Sequence, residues 1–302
     1  MPLHLDKTGY ILPADRDYGT EKEVERIMAD VPLLTAAGAP IVGTGAGKVV
    51  LLHKVVEQVR GSFVNRVQRI GDCVSFGTAG ALEASYACDI AFRNESEQWA
   101  DVATEWIYGT SRVLVGKGRL GNGDGSVGAW AARAVLHHGN LFRQRYGEHD
   151  LSTYSGQRAK SWGHRGLPLK LEETADQYPV PSMPPACRNY SELRDAIANG
   201  YGVSVCSNYG FRDTRDAEGF SRKSGSWAHC MHFHGVDDTP KRPGALCQNS
   251  WPPTWISGPK RHDQPDGSFW VDAETIDGML QQNDSYIMPG LNGIQRTHIW
   301  DI

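Results

Sequence analysis

The run "CVSFGTAGALEASYACDIAFR", residues 73–93, constrains the fold most. Val74, Gly77, Ala81, Ala84 and Cys88 recur at three- and four-residue steps, which predicts one close-packing helical face. A helix so rich in small and apolar residues belongs at the centre of a molecule. Gly71-Asp72-Cys73 stands directly in front of it. A cysteine there is either a small buried hydrophobe or a thiol whose ionised form the helix N-terminus favours. The remainder of the chain has to decide between the two.

Around this helix the pattern changes along the chain. "EKEVERIMADV" and "KVVLLHKVVEQV" in residues 1–60 carry helical charge-and-apolar patterns. Between them "GAPIVGTGAGKVV" imitates a phosphate loop, but Val42 stands where the first glycine is required and Val49 where Ser or Thr is required. It reads as a glycine-rich turn. A second helix is predicted from Gly128 to His138, ended by Gly139 and preceded by the irregular, glycine-dense loop "GRLGNGDGSVG". "PVPSMPP" reads as an extended crossing. Ser191 reads as the N-cap of a short helix bearing Leu193, Ala196 and Ile197. Beyond it "GVSVCS", "WAHCMHFHGV", "ALCQNSW" and "SFWVDA" are short, turn-bounded and rich in β-formers. Helices followed by strands predict an α+β protein with two lobes.

Composition narrows the function. The chain has 302 residues, 40% hydrophobic and 22% charged, enough for a sizeable core. A net charge of −4 with scattered basic residues gives no footprint for nucleic acid. No run of apolar residues is long enough for a membrane span, and the N-terminus lacks the basic and apolar regions of a secretory signal, so export is not expected. The six cysteines lie far apart without a CxxC pair, so a reducing, intracellular compartment is expected.

"HCMHFH" invites a metal reading. On a strand, alternation puts Cys230, His232 and His234 on one face and His229 on the other. Three ligands along a single strand fall short of a zinc site, and no metal or cofactor is expected. Downstream, "CQNSWPPTW" sets Asn249 before Trp251 and Trp255. In chain order this leaves Cys73, His229 and Asn249, the set that a thiol nucleophile, its base and an orienting group require.

These motifs resemble the papain-like cysteine peptidases. "GDCVSFG" is similar to that family's Gly-Ser-Cys-Trp-Ala-Phe, with Val74 in place of the aromatic. "HCMHFHG" keeps a glycine, Gly235, six residues after His229. "QNSWPPTW" keeps the spacing of Asn-Ser-Trp-Gly-x-x-x-Trp, with Pro252 in place of the glycine. "GDGSVGAWAARAVLHHGNL" is similar to the glycine wall and the helix after it, and "ELRDAIANGYGVSV" to the opening of the barrel lobe. His229 and Asn249 lie further beyond Cys73 than the ~130–150 residues usual in the family, which implies insertions.

The resemblance implies a two-lobe fold: a helical lobe holding the central helix, residues 61–178, and an antiparallel β-barrel-like lobe, residues 179–302. Residues 1–60 form an N-terminal extension that serves as a prosegment or as a structural layer. It implies a peptide or protein substrate, with Cys73 as nucleophile, His229 as base, Asn249 as orienting residue and Gln68 as oxyanion donor. Gly125, Ser126 and Trp251 would line the substrate path, and Trp251 would also shield the His229–Asn249 hydrogen bond from water. Gln68 lies five residues before Cys73 where the family has six. The family's disulfide has no counterpart, since Ile70 and Asp124 stand near its two positions. Two rivals remain open: a thiol amidase or transferase with the same triad, and a catalytically silent structural or assembly protein that keeps the fold.

Overall fold

A computed structural model describes residues 8–32, 41–93 and 98–290 of the chain. Its main helices and strands, in order, are α1 (Tyr18–Asp30), β1 (Val49–Leu51), α2 (Leu52–Arg60), α3 (Cys73–Arg93), α4 (Thr104–Gly109), α5 (Gly128–His137) and α6 (Gly156–Arg165). Then come α7 (Tyr190–Ala198), β2 (Val203–Phe211), β3 (Lys223–Asp237), β4 (Gly244–Gln248), β5 (Ser268–Asp272), α8 (Ala273–Leu280) and β6 (Ser285–Ile287). Among the described residues no helix is long and apolar enough to cross a membrane.

Helix α3 is buried along most of its length because it lies between two cores. Val74, Ala81 and Leu82 pack with Val127, Trp130 and Ala131 of the helical side. Ala84, Ala87 and Cys88 pack with Val205, Met231 and Phe233 of the sheet side. The small-residue stripe seen in the sequence therefore runs from one core into the other. Two glycines let the sheet come close: a Cβ on Gly77 would stand 2.7 Å from the Cys230 sulfur, and one on Gly80 would stand 2.4 Å from the His232 ring.

The sheet runs β5-β4-β3-β2-β6, antiparallel throughout, with β1 also paired to β3. It is an open sheet. The barrel-like closure expected from the resemblance does not form, since β5 and β6 end the sheet on opposite sides. The connection between them is a helix, α8, which buries Ile276 and Met279 in the sheet-side core instead of adding a strand.

Two local expectations are corrected. Val49–Leu51 forms a strand where a helix was expected, pairing with Gly235, Val236 and Asp237. Strand β2 begins at Val203, opposite Phe233, so the last residues of β3 offer unpaired backbone groups that β1 satisfies. The cap of α7 is Asn189, not Ser191: its side chain accepts from the Glu192 N–H, and Glu192 reaches back to the Arg188 N–H. Val50, Leu52, Val55 and Val56 sit in the sheet-side core, so this part of the first 60 residues is built into the body of the protein.

Helix α2 also brings His53 to within 5.7 Å of the His234 ring, which is 4.9 Å from His232. Both ring nitrogens of His234 are buried without a partner. Burial first, then neighbouring Lys54, pushes His53 down from 6.5 to about 4, with a His262 backbone group opposing. A depressed histidine keeps its stabilising neutral form above the unfolded value, and stability is lost as pH falls from about 6.5 toward 4. A His53→Leu variant escapes this linkage. Between about pH 7 and pH 4, urea titrations should show the native sequence losing roughly 3 kcal/mol more than the variant.

Candidate active site

Cys73 opens α3 and is fully buried. Its sulfur lies beside the backbone N–H groups of Cys230 and Gly9. The preceding turn is tight, with the Asp72 N–H donating to Ile70 O at 2.9 Å. Asp72 accepts from the Tyr154 hydroxyl at 2.8 Å, and its other carboxyl oxygen has no partner. The helix N-terminus favours a thiolate, yet the thiol is held well above its usual range. Burial is the main cause, with Cys230 and Asp72 adding to it. Desolvation outweighs the helix dipole here.

His229 stands on β3 opposite Ser207, one residue from Cys230. Its Nε2 is 2.8 Å from Asn249 Oδ1. With that oxygen accepting, the ring proton sits on Nε2 and leaves Nδ1 as the basic nitrogen. Nδ1 is buried and has no partner. Burial lowers His229 from 6.5 to about 4, against the Asn249 hydrogen bond. Burial thus favours the neutral thiol and the neutral imidazole. Trp251, expected along the substrate path, is instead fully buried behind the pair: its ring lies 5.1 Å from His229 and packs on Trp227 and Trp255. It walls the His229–Asn249 hydrogen bond off from water.

Gln68 is buried in the loop before the thiol. Its Nε2 donates to Ile70 O at 2.8 Å, and its Oε1 accepts from the Ser250 hydroxyl, which ties the nucleophile loop to the Asn249 loop. Gly125 has φ of +107°, a conformation that glycine adopts freely. On the other side an open groove is lined by Phe63, Arg66, Glu83, His232, Asn249 and Ser250. The remaining "HCMHFH" side chains point elsewhere: Cys230 lies against Gly77 and His232 against Gly80. Among the described residues no group of three or more candidate ligands could hold a metal ion. All six cysteines are free and buried.

Sequence reasoning missed Arg112, which shapes the glycine wall. It lies on a π-helical segment, Thr110–Val115, that continues α4, a feature frequent at functional sites. Its buried guanidinium donates to the carbonyls of Gly121, Gly123, Gly125 and Gly163. Among the described residues no carboxylate forms an ion pair with it; the loop's own carbonyls take its donors. No local pattern announces such a residue, because its acceptors come together only in the fold. Lysine has neither the planar fork nor enough donors to replace it. Arg112→Lys should cost roughly 3 kcal/mol in chemical denaturation, since several buried carbonyls lose their partner.

The cleft itself is filled by the chain's own residues 8–12. Gly9 and Tyr10 donate to Ala228 O at 3.2 and 3.1 Å; Ser126 N–H donates to Gly9 O at 2.8 Å, and Ile11 N–H to Ser126 O at 3.0 Å. Tyr10 and Ser126 thus form a parallel bridge. Gly9 is the residue beside the thiol, and it has no room for a side chain: a Cβ there would meet Gly71 O at 1.9 Å. Beyond this strand α1 is anchored by Val24 and Ile27, both buried in the helical-side core.

No family model matches the sequence, and no curated protein matches it either. Among solved structures the chain is similar to xylellain, a cysteine protease from Xylella fastidiosa, at a TM-score of 0.56 and 16% identity over 95% of this chain and 97% of that one. The fold is papain-like. Procathepsin L 3 of the Tenebrio molitor larval midgut is also similar, with a TM-score of 0.49 and 13% identity over 94% of this chain and 77% of that one. So is procathepsin B S9 from Trypanosoma congolense, with a TM-score of 0.48 and 11% identity over 80% of this chain and 76% of that one. At 16% identity the likeness to xylellain speaks for the papain-like fold alone; the chemistry has to be argued from the side chains.

Proposed function

We propose that the chain is a thiol peptidase held in a latent state by its own N-terminal strand. The observation that carries this reading is the His229 ring: one nitrogen is fixed by Asn249, and the other is buried, basic and unpartnered on the strand that adjoins the Cys73 thiol. Buried polar atoms without partners call for an explanation, and His229 Nδ1, Asn249 Nδ2 and Trp251 Nε1 belong to three residues that touch one another.

Residues 8–12 desolvate the thiol and the imidazole, which favours the neutral pair. When the strand leaves, water and substrate dipoles enter, and His229 Nδ1 takes the Cys73 proton. The thiolate attacks the peptide carbonyl, and the Cys73 N–H and Gln68 amide receive the oxyanion. The imidazolium passes its proton to the leaving amine, and water then releases the acyl group from sulfur. Ser126 holds the substrate backbone through the N–H and carbonyl that now bind Gly9 and Ile11, beside the side-chain-free Gly125. An amidase or transferase would share every step up to the acyl-enzyme and differ only in the acceptor.

The test uses the full chain carrying Gly9→Leu and a library of internally quenched peptides. Cleavage that disappears in the additional Cys73→Ala variant supports the reading. A loosened chain whose cysteine accepts small reagents yet cleaves no peptide excludes it.

A further inference from the structure

Cys73, Cys206 and Cys230 belong to one core, on the helical side of the molecule. Cys206 on β2 and Cys230 on β3 stand directly opposite each other, within a stretch of regular register from Val203 to Ser207. A side-chain hydrogen bond joins the two thiols. Residues so placed on antiparallel strands have Cα atoms about 4.5 or 5.5 Å apart, inside the range that a disulfide spans. The peptide-cleaving steps use neither thiol. Cys230 is also one of the residues lining the open groove, together with Gly77, Met231 and His232. The inner space of that groove, about 40 Å³, admits a molecule little larger than water.

We infer that Cys206 and Cys230 form a modification site, a dithiol that a small hydroperoxide closes into a cross-strand disulfide. Cys230 meets the oxidant first. Its sulfur, having given up a proton, attacks one peroxide oxygen; the O–O bond breaks, Cys230 becomes a sulfenic acid, and the hydroxide that leaves takes up the proton as water. The Cys206 thiol then attacks the Cys230 sulfur, the S–O bond breaks, and a second water leaves. Two thiols are oxidised and one hydrogen peroxide is reduced to two waters.

The new bond lies one rung from the His229–Ser207 pair, and the Cys230 N–H is one of those beside the Cys73 sulfur. Facing Cβ atoms on paired strands stand about 4.5–5.5 Å apart, whereas a disulfide holds them at about 3.5–4.5 Å. The strands must therefore draw together by about 1 Å at this rung. Gly77 packs closely on the Cys230 sulfur, so the shift passes along β3 to His229. The oxidised chain is a slow peptidase. That consequence rests on the peptidase reading; the disulfide itself does not.

Both arms of the experiment use the full chain. In the first, Cys73→Ala removes the other nearby thiol, and hydrogen peroxide is added. Remaining thiols are blocked with N-ethylmaleimide during unfolding, and unreduced peptides are mapped by mass spectrometry. The expected result is a Cys206–Cys230 link as the dominant pairing, removed by dithiothreitol and absent when Cys206→Ala is added. Recovery of both thiols free, or of Cys230 stopped at the sulfenic or sulfinic stage, would overturn the inference. In the second arm the Gly9→Leu chain receives peroxide and then arsenite, which returns a Cys73 sulfenic acid to the thiol and leaves disulfides in place. Peptide cleavage should stay about tenfold to a hundredfold down until dithiothreitol is added, whereas with Cys206→Ala arsenite alone restores it. Full recovery on arsenite in both chains would overturn the coupling to the active site. If untreated Gly9→Leu cleaves no peptide, the peptidase reading fails, and the link mapped in the first arm still decides whether the dithiol site exists.

Discussion

Gly9→Leu should accelerate the alkylation of Cys73 by a small thiol reagent about tenfold or more. The reason is steric and local. The first side-chain carbon would stand 1.9 Å from Gly71 O and 2.4 Å from its carbonyl carbon, and both are backbone atoms with no rotamer to yield. Away from this segment Gly71 is itself hemmed in by Asp124, whose side chain would stand 2.9 Å from a Cβ there. The strand must therefore lift. Overpacking of this kind costs about 1–3 kcal/mol, and every ~1.4 kcal/mol moves an opening equilibrium tenfold. Because α1 keeps its own anchorage through Val24 and Ile27, the variant should stay folded. Val42→Trp, at a position 60% exposed, serves as the control and should leave labelling unchanged.

In the opened Gly9→Leu chain, His229→Ala should lower kcat/KM by roughly a thousandfold or more, the scale of losing the base from a nucleophile–base pair. Asn249→Ala should fall between the two, about tenfold to a hundredfold, because the ring keeps its basicity but loses the 2.8 Å hydrogen bond that sets its plane. The order matters more than the sizes. A purely structural Asn249 would change stability without separating kcat from KM, whereas an orienting one lowers kcat and leaves KM nearly constant. Steady-state kinetics on a peptide reporter reads the difference directly.

Much of the fold can be read from residues that act locally. The small-residue helix, the period change after residue 200 and the turn-bounded strands depend on neighbours a few positions away, and the structure has them at nearly the expected bounds. The motif order likewise directs attention to Cys73, His229 and Asn249, since each motif is a helix start, a strand or a loop with its own signature. What the sequence hides is tertiary. Val49–Leu51 becomes a strand only because β2 begins at Val203, opposite Phe233, and leaves the end of β3 free. Arg112 has meaning only once four carbonyls converge on it. The helix start argues for a thiolate, but the strand laid over Cys73 removes the solvent that a thiolate requires. Gly9 gives no sign of its part, since "TGYIL" is an ordinary stretch until Gly71 lies beneath it. Residues 1–60 accordingly do not act as one unit: residues 8–12 lie in the cleft, while 49–60 belong to the core.

The central claim is that Cys73 is a nucleophile activated by His229 and covered by residues 8–12. Its most direct test is to treat the full chain and the Gly9→Leu variant with a peptidyl electrophile and to map the modified residue by mass spectrometry. The account predicts slow modification of the full chain, fast modification of the variant, Cys73 as the dominant site among the six cysteines, and loss of the fast reaction on adding His229→Ala. Equal labelling of several cysteines, or fast labelling of Cys73 that persists without His229, would contradict it.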